Sequence, residues 1–317
     1  MKSPYLLAGA TFLLLLLLPT GPAPVFAQEA LTAPAALDAE GPQCPPSAAD
    51  IEANPSASAI VQRRRLEERA AGNRFAFLPY KPSYLLPFTY NATPNRQVYQ
   101  DLGDDVARVE LKFQLSFKMP LWEGIFADRG TLFAGYTQQS YWQAYNSKSS
   151  SPFRETNYEP ELFLNLFNDL PVLGVRNRMV TLGLVHQSNG RGGDLSRSWN
   201  RLYAQFAFER GNLYFALRPW YRIPEKSADD DNPDIDKYLG HGEFYAVYAL
   251  GKQRLGLMLR NNLRSENKGA VQLDWSFPLH KKLDGYVQYF NGYGENLIEY
   301  DSSNNRIGFG LILANWL

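Results

Sequence analysis

The sequence is almost free of cysteine, carries no net charge and has no apolar run long enough for a membrane helix. Its one cysteine, Cys44, excludes an intrachain disulfide and leaves too few thiols for a cysteine–histidine zinc site. The 32 basic and 32 acidic side chains cancel, which argues against nucleic acid as a partner, because phosphate binding needs a basic excess. A polytopic helical membrane protein would show several apolar runs of about 20 residues, so that class is excluded as well.

Aromatic side chains, by contrast, are abundant and make up 14% of the chain. Disordered chains lack the apolar groups that offset the entropy lost on ordering, so this composition predicts a folded protein. The mean hydropathy is only −0.34, which indicates that the apolar residues are interspersed with polar ones.

The N-terminus has the pattern of a secretory signal peptide. Lys2 precedes an apolar run from Leu6 to Leu18, and small residues, Val25 and Ala27, come just before Gln28. A charged start, a short apolar core and a small-residue cleavage site are typical of exported proteins. The alternative is a transmembrane anchor, but the run is too short for the roughly 20 residues that a span needs.

Three segments follow from these patterns. We predict a signal peptide over residues 1–27, which export would remove. Residues 28–75 are predicted to be a flexible periplasmic leader, since their first part is rich in Ala, Pro and Ser and shows no periodicity; within it, residues 59–71 could form a short helix. Residues 76–317 are predicted to form the folded domain.

The folded domain has the two-residue period of β-strands. In residues 109–118 every odd position is apolar and every even position is polar. Twelve runs of this kind extend to the C-terminus. They lie at about 84–91, 106–118, 130–143, 156–168, 177–188, 198–209, 212–222, 238–250, 253–262, 270–277, 283–293 and 306–317.

The number, length and spacing of these runs predict an all-β fold, a 12-stranded antiparallel transmembrane β-barrel of the bacterial outer membrane. Many runs reach the roughly 9–11 residues that a tilted strand needs to cross a bilayer. Short turns alternate with longer loops, so one end of the barrel would carry short periplasmic turns and the other long external loops. A soluble β-sandwich also alternates, but it does not explain this rhythm or the aromatic content.

One of the three histidines lies beside a hydroxyl at the outer end of a predicted strand. His186 and Ser188 share the parity of Leu184, and residues two apart point to the same face of a strand. On the next predicted strand Asn200 shares the parity of Leu202. We therefore expect all three side chains to face the lipid at the outer rim.

These three groups supply a nucleophile, a base and a residue that orients the base. Polar groups on a lipid-facing surface are costly unless they are paired, which favours a specific role. The other interpretation is a polar cluster at the membrane interface, hydrogen-bonded to head groups. A serine nucleophile that faces lipid would meet the acyl esters of the membrane itself, so the residues point to a lipid esterase.

At these residues the sequence resembles the outer membrane phospholipase A family. The resemblance covers most of residues 84–317. It is carried by HQSNGR at 186–191, SRSWNRLY at 196–203, SPFRETNYEP at 151–160, DNPD at 231–234 and GYGE at 292–295.

The resemblance implies calcium-dependent hydrolysis of phospholipid acyl esters, of the A1, A2 and lysophospholipase types, by an enzyme that is active as a homodimer. Ser188 would be the nucleophile, His186 the general base and Asn200 the orienting residue, and the backbone N–H of Gly190 would help to hold the oxyanion. An amide at position 200 avoids placing an anion against lipid.

The resemblance also implies calcium ligands and a dimer contact. The ligands would be the carbonyl of Arg191, the hydroxyl of Ser196 and, from the other subunit, the carbonyl of Ser150, all oxygens, as a hard cation requires. Asp231 matches a residue linked to a weaker calcium site in the monomer; the other interpretation is a solvated acidic loop. Gln138 matches a polar residue at the dimer contact, unless it is an ordinary glutamine of the interface.

The sequence therefore predicts a calcium-dependent outer-membrane phospholipase that acts on the phospholipids of the outer leaflet. The alternative is a non-enzymatic outer-membrane barrel, a pore or scaffold. Inward-facing Arg, Glu, Lys and Gln side chains would fill a bore of twelve strands, which argues against an open pore.

Overall fold

The computed structural model describes residues 58–71, 76–99, 106–147, 152–280 and 283–315. The predicted signal peptide, Cys44 and most of the predicted leader lie outside the described residues. The helices are α1 (Ala59–Ala71), α2 (Ile125–Asp128) and α3 (Asp236–Leu239), and a 3₁₀ turn spans Gly193–Leu195. In the single turn α2, Phe126 and Ala127 have left-handed backbone angles.

Within these described ranges, thirteen strands account for nearly all of the remaining regular structure. They are β1 (Leu78–Pro79), β2 (Ser83–Asn91), β3 (Val109–Gly124), β4 (Gly130–Trp142), β5 (Phe153–Val172), β6 (Val175–Ser188), β7 (Ser198–Arg210), β8 (Leu213–Ile223), β9 (Gly242–Leu250), β10 (Gln253–Asn261), β11 (Gly269–His280), β12 (Leu283–Tyr293) and β13 (Ser303–Ala314).

The strands from β2 to β13 close into a barrel. Each pairs antiparallel with the next along the chain, and β13 pairs with β2 through partners such as Phe309 and Phe88. The two-residue strand β1 adds to β3 beside the barrel wall. The predicted twelve-stranded antiparallel barrel is therefore confirmed, and all twelve predicted runs correspond to barrel strands.

The two faces of the wall have opposite chemistry. On β3 the apolar residues Leu115 and Phe117 are exposed on the outer face, whereas Glu110 and Lys112 are buried inside. A soluble sandwich would bury its apolar face and expose its polar one. This outward apolar surface is what a bilayer requires, so the β-sandwich alternative is wrong.

The long loops follow even-numbered strands and lie at one end of the barrel, and the short turns lie at the other. Helix α1 occupies residues for which the sequence allowed a short helix, and it contacts the barrel at the short-turn end. Its Arg63 donates a hydrogen bond of 2.6 Å to the carbonyl of Pro79, and Glu67 pairs at 2.8 Å with the buried Lys118. No helix among the described residues is both long and apolar enough to cross a membrane.

Buried charged side chains pair with one another in the interior near the long loops. Arg154 pairs with Glu110 at 2.7 Å and with Glu299 at 2.9 Å, and Arg306 bridges Glu110 at 2.7 Å and Glu295 at 2.8 Å. We call this set of buried ion pairs the lumen network. It joins β3, β5 and β13 to the loop between β12 and β13, so it braces the wall from inside.

Candidate functional site

Strands β6 and β7 bring His186 and Asn200 directly opposite each other. The imidazole Nδ1 and the amide Oδ1 are 2.9 Å apart, within hydrogen-bonding distance. Their neighbours on the same face, Leu184 and Leu202, are 44% and 50% exposed on the outer surface. The two side chains therefore lie on the apolar, outward-facing side of the wall, close to the long loops.

The hydrogen bond selects one form of the imidazole. An amide oxygen can only accept, so the neutral ring places its N–H on Nδ1 when Oδ1 faces it. This leaves Nε2 of His186 with a free lone pair. A base that can take a proton at Nε2 is what a neighbouring hydroxyl needs to become a nucleophile.

Ser188 ends β6 two residues after His186 and shares its outward face. It lies in register with Tyr158 on β5 and Ser198 on β7, and its side chain is half-buried. Within the described part of the chain no hydrogen bond joins the Ser188 hydroxyl to His186. The structure thus brings the three predicted residues to one outward patch and joins two of them directly. We call His186, Ser188 and Asn200 the rim cluster.

Gly190 follows the nucleophile candidate in a conformation that favours glycine. Its φ is +64°, and a Cβ atom there would lie 3.0 Å from Cε2 of Tyr158. Both the backbone angle and the close aromatic ring argue against a larger residue. The chain can therefore turn sharply just after Ser188.

The buried side-chain amide of Asn189 helps to close the loop that follows. The Oδ1 atom of Asn189 accepts hydrogen bonds from the backbone N–H groups of Arg191, at 3.3 Å, and Arg197, at 3.0 Å. Its Nδ2 donates to the carbonyl of Leu195 at 2.9 Å. The sequence did not predict a role for Asn189. In the structure its side chain holds the loop that carries two predicted calcium ligands, Arg191 and Ser196.

Ser196 meets Asp231 across two loops. The Ser196 hydroxyl donates a hydrogen bond of 2.5 Å to Oδ2 of Asp231. The second loop is held against β7 because the buried Asn232 accepts a hydrogen bond of 3.0 Å from the backbone N–H of Ser198. Asp231 is exposed, and its side chain accepts this hydrogen bond from a predicted ligand.

These groups fit a hard cation by their chemistry. The hydroxyl of Ser196 and the carboxylate of Asp231 lie together, and oxygen is the ligand atom that Ca²⁺ prefers. Ser150, the ligand expected from a second subunit, lies outside the described residues. No group of three or more His, Cys, Asp or Glu side chains placed to hold a metal is present in the described ranges. The predicted set depends instead on one carboxylate with hydroxyl and carbonyl oxygens.

Gln138 lies on β4, in register with Leu115 of β3 and Tyr158 of β5. Leu115 is exposed on the outer face, so Gln138 also faces outward. Because Tyr158 is in turn opposite Ser188, Gln138 belongs to the same lateral row of the wall as the rim cluster.

The structure adds a residue that the sequence analysis did not find. Glu225 lies in the loop after β8 and accepts a hydrogen bond of 2.9 Å from Nδ2 of Asn200. Its contact depends on the register between β7 and β8, in which Asn200 faces Ile223, two residues before Glu225. The period of the sequence gives the face of a residue but not its cross-strand partner, so no sequence signal identified it.

Comparison with known proteins gives a consistent result. The phospholipase A1 family model matches residues 60–313. A phospholipase A1 of Klebsiella pneumoniae is 42% identical over 243 residues, which cover 76% of this chain and 83% of that protein. The phospholipase A1 of Escherichia coli K12 is 41% identical over 243 residues, covering 76% and 82%.

Two solved structures share the fold. The outer membrane phospholipase A from Escherichia coli superimposes with a TM-score of 0.73 at 40% identity and covers 77% of this chain and 94% of that one. The outer membrane phospholipase of Salmonella typhi, solved as a dimer with bound calcium, gives the same TM-score of 0.73, at 40% identity and with the same coverage of 77% and 94%.

Proposed function

The chain belongs to the phospholipase A1 family and is a phospholipase of the bacterial outer membrane, and we propose that it cleaves the acyl esters of membrane phospholipids with the rim cluster. The observation that carries this proposal is the His186–Asn200 hydrogen bond on the outer, apolar face. The substrates would be phospholipids of the outer leaflet, cleaved at either acyl position, and lysophospholipids.

In the first step the Ser188 hydroxyl attacks the ester carbonyl while Nε2 of His186 takes its proton. The Oδ1 atom of Asn200 accepts from Nδ1 and stabilises the imidazolium that forms. The backbone N–H of Gly190 would donate to the oxyanion. When the intermediate collapses, His186 returns the proton to the departing alcohol, and the acyl group stays on Ser188.

In the second step water replaces the alcohol. His186 removes a proton from the water, which attacks the acyl–serine ester and releases the fatty acid, and the proton returns to Ser188. The leucines around the cluster are exposed on the outer face, so acyl chains would reach the cluster from the bilayer and the substrate would not need to leave the membrane.

We further propose that the carbonyl of Arg191 and the hydroxyl of Ser196 hold a calcium ion together with Ser150 of a second subunit, and that Asp231 belongs to a weaker calcium site in the monomer. The hydrogen bond between Ser196 and Asp231 supports this, because it gathers two oxygen ligands on the loops beside Ser188. A calcium ion bound there would supply Lewis-acid polarisation of the ester carbonyl. The relative solved as a calcium-bound dimer supports the same metal.

The active form is proposed to be a homodimer. Gln138 lies in the outward row that contains Ser188, so a second subunit packed there would lie beside the cluster and could bring its own Ser150 to it. The expected result is a cross-linked dimer whose fraction rises when calcium and phospholipid are added. A fully active enzyme that is monomeric under all conditions would contradict this part of the proposal.

The test of the function is fatty-acid release from phospholipid vesicles that contain the purified barrel. We expect release with calcium, its loss on addition of a chelator, and its loss in Ser188→Ala. Ser265→Ala, in an exposed outer loop, is the matched control and is expected to behave as the wild type. Equal release by Ser188→Ala would exclude Ser188 as the nucleophile.

The segment predictions for the N-terminus remain proposals. We propose that residues 1–27 are removed on export and that the mature chain begins at Gln28. N-terminal sequencing of protein isolated from the outer membrane is expected to start at Gln28; retention of Met1 would contradict cleavage.

A further inference from the structure

Glu225 contacts one member of the rim cluster, Asn200. It lies two residues beyond the end of β8, whose last residue, Ile223, faces Asn200. Its Oε1 atom accepts a hydrogen bond of 2.9 Å from Nδ2 of Asn200, and its side chain is half-buried. Among the described residues Glu225 forms no ion pair, so its defined contact is this bond to Asn200.

The contact matters because the amide of Asn200 can point either way. Its oxygen and its NH₂ group are nearly equal in size, and only the hydrogen bonds around them decide which one faces the imidazole. With Oδ1 toward His186, the ring carries its proton on Nδ1 and Nε2 is free to act as a base. With Nδ2 toward His186, Nδ1 must accept, so the proton moves to Nε2 and the base is lost.

A carboxylate resolves this ambiguity. Ionised Glu225 can only accept hydrogen bonds, so it holds Nδ2 of Asn200 on its own side and turns Oδ1 toward His186. We propose that Glu225 is a positioning residue that sets the orientation of Asn200 and, through it, the tautomer of His186. This inference rests on the proposed function of the rim cluster.

The arrangement also places the negative charge where it can be tolerated. Asn200 itself lies among outward-facing leucines, where an anion is costly. Glu225 belongs to the loop after β8, at the long-loop end of the wall. The chain thus uses a neutral amide next to the lipid and a carboxylate one hydrogen bond farther away. Together the two orient the imidazole and fix its tautomer, as the aspartate of a serine–histidine–aspartate triad does.

The first test is Glu225→Ala, assayed for fatty-acid release with calcium. Loss of one charge-assisted hydrogen bond is expected to lower kcat by about 10- to 100-fold and to leave KM for the lipid largely unchanged. Glu225→Gln, whose side chain can face Asn200 with either its oxygen or its NH₂ group, is expected to fall between Ala and the wild type. Glu266→Gln, in an exposed outer loop, is the matched control and should leave kcat unchanged.

The second test separates positioning from a structural role. In an Asn200→Ala background the change Glu225→Ala is expected to have no further effect, because the group through which it acts is gone. In an Asn200→Asp background the effect on kcat of removing the Glu225 charge should reverse its sign. Two carboxylates would then face each other, so Glu225→Gln should raise kcat rather than lower it.

The inference fails if Glu225→Ala has the kcat of the wild type. It also fails if Glu225→Gln lowers kcat by the same factor in the wild-type and Asn200→Asp backgrounds. Ser188→Ala is assayed in parallel. If it is inactive while Glu225→Ala is fully active, only the role of Glu225 fails. If Ser188→Ala retains activity, the proposed function itself fails.

Discussion

On the inner face of the barrel, Arg154 is 2% exposed and contacts two carboxylates, Glu110 and Glu299. On the outer face of β6 and β7, His186 is exposed and contacts one neutral amide, that of Asn200. The lumen network holds its charges by surrounding them with opposite charges. The rim cluster uses neutral groups on one face, with a hydrogen bond between His186 and Asn200, because a surface that faces lipid offers no water or counterion to an unpaired charge.

The comparison shows how one wall can serve two purposes. Residues of one parity brace the barrel from inside through ion pairs that link distant strands, and residues of the other parity are left to the membrane. We expect substitutions in the lumen network to lower the free energy of unfolding with little direct effect on kcat. Substitutions in the rim cluster should lower kcat with little effect on stability.

The largest expected effect is that of His186→Ala. Loss of the base should lower kcat by about 10⁴-fold or more, since nucleophile and base act as a unit. Because the side chain is exposed, the unfolding midpoint in urea should stay close to that of the wild type. Fatty-acid release and urea unfolding, measured on the same sample, check the loss of kcat and the unchanged midpoint. An unfolded His186→Ala barrel would show that the rim cluster also contributes to stability.

Glu110→Gln tests the lumen side. The change leaves Arg154 and Arg306 facing a neutral amide, and breaking a buried pair in this way costs about 3–5 kcal/mol. We expect the free energy of unfolding to fall by that amount, while activity per folded molecule is retained. A variant that is fully stable but inactive would show that the two faces are not separable as described.

Asp231→Asn should act on calcium rather than on catalysis. Loss of the one carboxylate among the proposed ligands is expected to raise the calcium concentration needed for half-maximal release about tenfold, with the maximal rate little changed. Its exposed neighbour Asp229, changed to Asn, is the matched control. Identical calcium curves for the two variants would remove Asp231 from the site.

The smallest expected effect is a pH dependence of stability. Burial alone would raise the pKa of Glu295, but the neighbouring Arg306 and Lys112 outweigh it and hold the pKa below its ordinary value of 4.5. A lowered pKa in the folded state adds stability that is fully present above 4.5 and is lost as the pH falls through the folded value. Unfolding free energies measured from pH 6 to 3 should therefore decline.

The control for this pH effect is Glu295→Gln. The variant should be less stable at neutral pH, because Lys112 loses its carboxylate partner and Arg306 keeps only Glu110. Its stability should also fall less steeply in acid. If both proteins show the same slope, the acid sensitivity arises from other carboxylates.

The sequence predicts the barrel and the faces of its residues because alternation is a local signal. The parity of His186, Ser188 and Asn200 can be counted along single strands, and the structure places all three on the outer face, where parity put them. The helix at Ala59–Ala71 was within reach of the sequence as well, although its contacts with Pro79 and Lys118 were not.

What could not be predicted depends on register and on loop conformation. The bond from Asn200 to Glu225 requires the pairing of β7 with β8 and the course of the next loop. The bond from Ser196 to Asp231 joins two loops that no period describes. Likewise, Arg154 meets Glu299 only because the loop between β12 and β13 folds into the barrel.

The central claim is that Ser188, activated by His186, is the nucleophile at the lipid-facing surface. The most direct test is labelling by an alkyl fluorophosphonate dissolved in the bilayer, which loses fluoride when an activated serine attacks its phosphorus. Mass spectrometry of the digested protein should find one adduct, on Ser188, with none on the buried Ser140, and the adduct should be absent in His186→Ala. An adduct on another residue, or undiminished labelling of Ser188 in His186→Ala, would contradict the proposed mechanism.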